Sequence, residues 1–598
     1  MTSDDLHHDV ESVLRSLQQE HASPTSPPPI RQEAGQTTVV HPPGDNLPVD
    51  SIQFRAVTHL DGPMRVMAPA GSGKTRTLVS RINHLLEQGI PPDRILALAF
   101  NRKAQEEMNE RLSASGRAMN VRTFHSFGYE IIRRALGWEY HENSHPRLLG
   151  LLQDAILHHV PKGEIVSTKP DALDPYLRAL RQATMELIPL VTLAIQTDIG
   201  EIPFQPIFQD FLVAQIQNRF LNFDGMIYHA LRVLIDDTSL RHSLQNQLEY
   251  VLVDEFQDLN RAQMLLTQII ALPQNNLFVV GDDDQMIYGW RGADVRLILD
   301  FPQTYPDAKS VVLATNYRST RKIVRHSRML IEHNPERVEK DIQPQVGAAR
   351  GTLDIILAQG IRAQAKAALD WIQTQQTTHN LVWDDFVILY RANNYVFPIL
   401  PLLEQRGIPY VLAKETPGEE DIPPEIQPGA VTLLTIHKSK GKEFPWVVYF
   451  NLSRSGPGEA ETSLPEERRV AYVGVTRARH GLLITADEER YSRFLVELAL
   501  SPEFDSYALP YVERQADITR KKRDKIARKH AAQKNKQASL SQPPRFPWRP
   551  RRMGPEMQDN LAHQMAGLEA RLEEMEDRLD ELETEIRFRK ALNVKVKI

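Results

Sequence analysis

The segment Arg65-Val-Met-Ala-Pro-Ala-Gly-Ser-Gly-Lys-Thr75 decides how this chain is read. A short apolar run ends in a glycine-bearing loop, and a helical pattern follows. That is the strand–loop–helix setting of a phosphate-binding loop. Gly71 and Gly73 let backbone N–H groups close around phosphates, and the new helix N-terminus favours negative charge. Lys74 is placed to reach the β- and γ-phosphates, and Thr75 to hold Mg²⁺. Ala70, Gly71, Ser72, Gly73, Lys74 and Thr75 are therefore candidate nucleotide-binding residues.

Such a site needs an acid at the end of a neighbouring strand, and Tyr250-Val-Leu-Val-Asp-Glu255 supplies two. Asp254 is the second metal candidate, through water. Glu255 is placed to polarise an attacking water as a general base. Adjacent acids in this position point to hydrolysis.

Outward from these two segments the α/β texture repeats. Arg65 to Ala68, Ile95 to Phe100, Tyr250 to Val253, Leu277 to Val280 and Ser310 to Ala314 are short apolar runs followed by polar turns and helical patterns. They predict parallel strands with crossover helices. A first α/β core is expected over residues 49–128 and 249–315, interrupted by an α-helical accessory insertion over 129–248. A second core follows over 316–510, with strands near Phe386 to Tyr390, Ala430 to Ile436, Trp446 to Phe450 and Leu482 to Thr485.

The flanks differ. Residues 1–48 read as a disordered leader with a short helix, since Leu6, Val10, Val13, Leu14 and Leu17 share one helical face. A transient helix is the expected form, and a partner-docking element the alternative. Between Arg520 and Arg552 there are thirteen Lys or Arg and one Asp, although the whole chain carries a net charge of -6. Residues 511–555 therefore read as a basic flexible linker suited to a polyanion. Leu561, Met565, Leu568, Leu572, Met575, Leu579, Leu582 and Ile586 then alternate at heptad spacing, so 556–590 is expected to form a coiled-coil helix that self-associates or docks on a partner protein.

Composition narrows the chemistry. The chain has 598 residues, 41% hydrophobic and 25% charged, with Cys 0. Disulfides, thiolate metal sites and cysteine nucleophiles are excluded. No apolar run reaches the roughly 18 residues of a membrane span, and the acidic start lacks a signal-peptide pattern. A cytoplasmic protein without membrane partners is expected.

Several further segments occur in order: Asp254-Glu-Phe-Gln-Asp258, Gly281-Asp-Asp-Asp-Gln-Met-Ile-Tyr-Gly-Trp-Arg-Gly292, Asn316-Tyr-Arg-Ser-Thr320, Thr435-Ile-His-Lys-Ser-Lys-Gly-Lys-Glu-Phe444 and Glu467-Arg-Arg-Val-Ala-Tyr-Val-Gly-Val-Thr-Arg-Ala478. Gln53 with Ala56, and Thr123-Phe-His-Ser-Phe127, precede them. Together they resemble the UvrD/Rep-type DNA helicases of superfamily 1A over roughly residues 49 to 500. The resemblance implies two RecA-like P-loop NTPase cores, use of ATP and Mg²⁺, and 3′–5′ movement on DNA in repair, replication or recombination. By the same resemblance Gln53 would read the adenine edge, Arg76 and Tyr317 would sandwich its ring, and Glu443 would meet the ribose. Gln285 would link the γ-phosphate to DNA, and Arg318 and Arg477 would act as arginine fingers. Planar guanidinium groups suit phosphate oxygens. Trp290 would stack on a base, with Phe100, Phe124, His125, Asn393, His437 and Lys440 as further strand contacts, on single strands or at single-strand/duplex junctions.

One departure bears on function. Larger relatives carry a second accessory domain before the Thr435 segment, the domain that contacts duplex. Here a Pro- and acid-rich stretch, Glu415 to Pro428, lies in that place. A strand-walking motor that displaces proteins, with weak unwinding, is the alternative within enzymes. A tail-recruited DNA-bound adaptor with secondary motor activity is the alternative outside them.

The basic segment generates a test. Truncation after Gln515 leaves every phosphate-site residue in place, so turnover at saturating DNA should be nearly unchanged. Apparent single-strand affinity should weaken and its salt dependence flatten, because fewer counterions are released. A salt titration of binding, with sedimentation of both proteins, checks this; an unchanged slope and oligomeric state would remove the tail from DNA binding.

Overall fold

The computed structural model describes residues 10–20, 51–113, 119–140, 144–159, 170–197, 200–223, 225–413, 428–453 and 463–499, with Lys525 and Arg528. Most of the leader and the basic and heptad segments lie outside the described residues, apart from the helix noted below and those two side chains.

Helices α1 (Val10–Glu20) and α2 (Ser51–Thr58) precede β1 (Met64–Met67), α3 (Lys74–Glu87), β2 (Ile95–Ala99), α4 (Arg102–Ser113) and β3 (Asn120–Thr123). Then come α5 (Phe124–Leu136), β4 (Glu139–Tyr140), α6 (Ser144–His159), α7 (Pro170–Thr184), β5 (Ala194–Thr197), β6 (Gly200–Pro203), α8 (Phe204–Gln217), β7 (Phe220–Leu221), α9 (Met226–Asp236) and α10 (Thr238–Gln247). The chain returns through β8 (Tyr250–Val253), α11 (Arg261–Ala271), β9 (Leu277–Gly281), α12 (Arg296–Leu299), α13 (Phe301–Thr304) and β10 (Lys309–Val312).

The first sheet has the order β10-β1-β9-β8-β2-β3, with all neighbours parallel. Its strands read as unbroken apolar runs because both faces are covered. Val251 and Val253 of β8 point into one cluster with Val279, while Tyr250 and Leu252 point into the other with Phe278 and Val280. One correction follows. The strand carrying Asp254 is not the neighbour of the phosphate-loop strand, because β9 pairs with both β1 and β8. Strand order depends on which crossovers pack on which face, and a single chain's pattern does not encode that.

A helix that starts directly at the end of β3 leads into the region expected as the helical insertion. Thr123 caps α5: its Oγ1 accepts from Ser126 N at 3.1 Å, and Ser126 Oγ accepts from Thr123 N at 3.0 Å. This reciprocal cap starts the helix at Phe124. The insertion also holds two small two-stranded sheets, β4 with β7 and β5 with β6. Its apolar side chains merge with one face of the first sheet in a single cluster that includes Ile131, Leu152, Phe208, Phe211 and Leu231. Val13 and Leu17 of α1 join that cluster at 1% and 2% exposure. The leader helix, expected to be transient, is thus packed beside α11. Residues four apart on one face give a single stripe to bury.

The second core contains β11 (Thr315–Asn316), α14 (Arg321–Ile331), β12 (Gln343–Pro344), β13 (Thr352–Ala358), α15 (Ile361–His379), β14 (Phe386–Tyr390), α16 (Leu400–Gln405) and β15 (Tyr410–Leu412). It continues with β16 (Val431–Thr435), α17 (Ile436–Ser439), β17 (Phe444–Tyr449), α18 (Leu464–Val475) and β18 (Ala478–Asp487). The second sheet runs β13-β18-β17-β14-β16-β15. Ile388, Leu433, Val448 and Leu483 fill its core with Leu369 and Ile372 of α15.

Both sheets belong to one compact unit, Met1–Asn451 with Ser455–Thr485. A second unit comprises Leu452–Arg454 and Ala486–Ile598. Within it Ser453 bridges Tyr491, Ser492 N donates to Leu452 O at 3.1 Å, and α19 (Arg493–Ala499) follows. Among the described residues no helix is long and apolar enough to cross a membrane.

His229 of α9 gives the insertion a pH-dependent stability. Its ring is buried, and Nε2 lies 3.0 Å from Gln215 Oε1. Burial, helped by nearby Arg232, pushes its pKa down to about 3. The unfolded chain binds a proton near the ordinary histidine value of about 6.5, whereas the folded chain refuses it until far lower pH. Stability is therefore lost as pH falls below that value, by about 2 kcal/mol at pH 5. Urea unfolding at pH 7 and pH 5 should show this loss, and His229→Gln should remove that part of the pH slope.

Candidate nucleotide and nucleic-acid sites

The phosphate loop is shaped by its glycines. Gly71 and Gly73 have φ of 75° and 90°, in the left-handed region that an L side chain resists. A Cβ on Gly71 would stand 2.7 Å from Arg318 Cβ and 2.9 Å from Asn316 Nδ2. The missing side chain lets the second core descend onto the loop. There Asn316 Nδ2 donates to Ala70 O at 2.7 Å and Tyr317 N donates to Gly71 O at 2.8 Å. Arg76, at the start of α3, is buried, and Tyr317 is half-buried. Gln53 Nε2 donates to Ser72 O at 3.0 Å, so this residue braces the loop from α2.

Lys74, first residue of α3, places Nζ 2.9 Å from Glu255 Oε2. Glu255 itself holds φ 47° at the end of β8, a strained turn for a non-glycine residue. Gln257 Nε2 also donates to Glu255 Oε2, at 2.6 Å. Burial opposes the Glu255 charge, but Lys74, Lys440 and the Gln257 hydrogen bond outweigh it and hold the carboxyl well below its usual range. Asp254 shows the opposite balance: burial, with the neighbouring Glu255 charge, pushes its carboxyl up. Its Oδ1 is buried with no hydrogen-bond partner, as is Ser72 Oγ in the loop. An unsatisfied buried carboxylate and an unsatisfied buried hydroxyl fit a site built for a cation and a phosphate. Thr75 and Asp254 are the residues that would hold Mg²⁺.

The two arginines come from the second core. Arg477, 1% exposed, donates Nη2 to Gln285 Oε1 at 3.0 Å, Nη1 to Lys442 O at 3.0 Å and Nε to Val473 O at 2.9 Å. Burial, with Arg318 nearby, pulls its pKa down to about 9. Arg318 donates Nε to Glu443 Oε2 at 2.5 Å. The structure thus joins Lys74 to Glu255 and Gln285 to Arg477, and gives Glu443 to Arg318. Gln285 lies in the turn after β9, and its Nε2 donates to Asp282 Oδ2 at 2.6 Å.

A second, aromatic site begins three residues after Gln285. The Tyr288 ring stacks on Phe100 at 5.4 Å between centroids and 20°. Trp290 meets it edge-on at 6.4 Å, and His437 lies at 6.3 Å. The Arg291 guanidinium sits 4.7 Å over the Trp290 ring. Trp290 is 44% exposed, an apolar ring open to a ligand. Burial, with Arg391 beside it, pulls the His437 pKa down to about 4. This shelf therefore offers neutral rings backed by arginine, the combination that holds single strands.

Two expected strand contacts are corrected. Phe124 is 1% exposed inside the apolar cluster of the insertion, at the capped start of α5, so its ring has no face for a base. Lys440 is also turned inward: Nζ pairs with Asp258 Oδ2 and donates to Gln285 O at 2.8 Å, beneath the Tyr288 ring at 4.7 Å. It ties the second core to the first instead of meeting strand phosphates. His125 stacks on Phe223 at 3.8 Å, and Asn393 is exposed on the turn Asn393–Tyr395.

Residues missed by sequence reasoning include Tyr288, Asn316, Gln257, Asp258 and Asp282. Each lies inside a quoted segment, so proximity to Gln285 or Asp254 was the available signal. Tyr288, two residues before Trp290, was the most accessible of them.

These features define a class: a two-core P-loop nucleotide-binding protein whose phosphate loop is completed by arginines from the second core. The UvrD/REP helicase N-terminal domain family matches residues 49–306, and the UvrD-like helicase C-terminal domain family matches 311–417 and 419–489. The chain belongs to the UvrD/Rep helicase family. It is 34% identical over 381 residues to the ATP-dependent DNA helicase PcrA of Leuconostoc citreum, covering 60% of this chain and 49% of that protein. It is 32% identical over 374 residues to the putative ATP-dependent DNA helicase YjcD of Bacillus subtilis, covering 60% and 48%. A PcrA of Staphylococcus epidermidis is 31% identical over 370 residues, covering 61% and 50%. The chain spans about half the length of the curated relatives it matches.

Gly71→Ala tests the close approach of the cores. The left-handed backbone costs an alanine about 1–2 kcal/mol, and its Cβ would collide with Arg318 and Asn316. Nucleotide turnover should fall by at least about tenfold, the scale of a misplaced catalytic group, while denaturant unfolding shows only the small backbone cost. Near-native turnover would show that the second core need not touch the loop.

Proposed function

We propose that this protein is an ATP-dependent DNA helicase that walks on single strands, with 3′–5′ polarity as the family resemblance implies. One observation carries the reading: Gln285 and Tyr288 lie three residues apart on the segment after β9, the first bonded to Arg477 and the second stacked with Phe100 beside Trp290. A base pressing on the aromatic shelf and a phosphate pressing on Arg477 act on the same short segment. That is the physical requirement for coupling strand movement to hydrolysis.

In the hydrolytic step Glu255 accepts the proton of the attacking water; its carboxyl, held low by Lys74, gains basicity once that ammonium moves to the γ-phosphate. Lys74 leaves Glu255 for the γ-phosphate, and Arg318 and Arg477 stabilise the charge that develops there. Mg²⁺, held by Thr75 and Asp254, would neutralise phosphate charge. Gln53 would turn from the loop to the adenine edge, Arg76 and Tyr317 would enclose the ring, and Glu443 would meet the ribose. Product release frees Arg318 to return to Glu443 and lets the cores part.

The substrate is single-stranded DNA and its junctions with duplex, in repair, replication or recombination. A second reading, a motor that displaces bound proteins with weak unwinding, is favoured by the short passage from β15 to β16, where larger relatives place a duplex-contacting domain.

Glu255→Gln should keep ATP bound and lose strand-stimulated hydrolysis by about 10²–10⁴-fold, the scale of a lost general base. Lys74→Ala should lose nucleotide binding as well. Filter binding of labelled ATP beside a phosphate-release assay separates the two; near-native turnover by Glu255→Gln would refute the hydrolytic assignment.

A further inference from the structure

Three consecutive carboxylates, Asp282, Asp283 and Asp284, directly follow β9 in the first core, and all are buried at 0% exposure. Oxygens of the three lie within 4.8 Å of one another. Like charges so close in a dry site repel strongly unless a cation sits among them. The second core supplies it. Lys340, whose side chain is 0% exposed, places Nζ 3.3 Å from Asp282 Oδ1 and 2.9 Å from Asp284 Oδ2, and in contact with Asp283 Oδ1. Arg337 donates Nε and Nη2 to the two oxygens of Asp284 at 3.0 and 2.7 Å, and Val338 N donates to Asp283 Oδ2 at 2.8 Å. The acidic triplet has the spacing of a cation site, and the lysine ammonium is the cation.

This latch is wired to the hydrolytic residues. Asp282 Oδ2 accepts from Gln285 Nε2 at 2.6 Å, and Gln285 Oε1 accepts from Arg477 Nη2 at 3.0 Å. On the other side Asp282 N donates to Gln257 Oε1 at 2.8 Å, and Gln257 Nε2 donates to Glu255 Oε2 at 2.6 Å. A carboxylate oxygen can only accept, so Asp282 fixes which end of the Gln285 amide faces it. The amide oxygen must then face Arg477.

We infer that Lys340 is a positioning residue for ATP hydrolysis: by holding Asp282 among its neighbours it locks the Gln285 amide and, through it, Arg477. The inference rests on the proposed function for its kinetic consequence, but not for its structural one. Lys340 touches neither the phosphate loop nor the aromatic shelf, so strand binding and nucleotide binding do not depend on it.

Lys340→Met alone leaves Asp282 and Asp283 buried without their cation, Asp284 keeping Arg337, and endangers folding. Lys340→Met with Asp283→Asn removes one charge of each sign and keeps the balance, while Asp282 still loses its lysine. That double variant should melt near the native temperature, keep the KM for ATP within twofold, and lose roughly 10–100-fold in strand-stimulated kcat, the scale at which supporting hydrogen-bond partners act. Adding Gln285→Ala should then cost little more, since the amide is already unlocked. Amide exchange over residues 282–287, measured without nucleotide, should quicken in the double variant while exchange in β1 does not. That readout involves no hydrolysis, so it separates failure of this inference from failure of the functional reading. A folded double variant with native exchange over 282–287, native kcat, or a full additional loss from Gln285→Ala would overturn the positioning role.

Discussion

The cleft depends on one close approach, that of Asn316, Tyr317 and Arg318 to the backbone of Ala70 and Gly71. Two hydrogen bonds from the second core end on carbonyls of the phosphate loop. They form because Gly71 has no side chain and can hold a left-handed φ. Once that contact is made, Arg318 reaches the loop and Arg477 reaches the turn after β9. Residues from two separately built sheets then act as a single site. The proposed hydrolytic centre, made of two halves, would be sensitive to their separation, and opening the cleft would disable it without unfolding either half.

Charge management is the second principle of this cleft. Asp254, Asp258 and Asp282 to Asp284 are buried on the first core, with Glu255 half-buried beside them, and Lys340, Lys440 and Arg477 are buried on the second. Buried charges are costly unless paired, and here much of the pairing runs between cores. Burial pushes the Asp258 pKa up to about 6, with Lys440 opposing it. Such pairs add little net attraction against their desolvation, but they specify geometry: a misplaced core would strand several ions at once. Gln257 and Gln285 join the pairs into a continuous hydrogen-bonded path from Lys74 to Arg337. The Tyr288 ring over Lys440 extends that path to the aromatic shelf.

Local chemistry was legible in the chain and long-range chemistry was not. The phosphate loop, the Asp254–Glu255 pair and most strands of both sheets, though not β3, β13 or β15, could be read because each is a contiguous pattern of glycine, carboxylate or apolar residues. The neighbour of β1 could not, since strand order is fixed by crossovers whose faces a sequence does not mark. Phe124 shows how analogy can mislead: its segment suggested a strand contact, whereas the Thr123–Ser126 cap makes it the buried first residue of a helix. Lys440, a strand contact by the same resemblance, instead turns its charge to Asp258. Lys340 lies in none of the quoted motifs, and its partners are more than fifty residues away in the chain. The helix at Val10–Glu20 had a visible apolar stripe, but what the stripe packs against is a tertiary fact.

The central claim is that nucleotide draws the second core onto the phosphate loop and that hydrolysis releases it. Because the chain has no cysteine, paired spin labels can be placed at exposed sites on the two cores, Glu110→Cys on α4 and Arg362→Cys on α15. Distances measured by pulsed electron paramagnetic resonance should be broad without nucleotide. They should become shorter and narrow with a non-hydrolysable ATP analogue and single-stranded DNA, and broad again with ADP. One unchanged distribution in all three states would contradict the account.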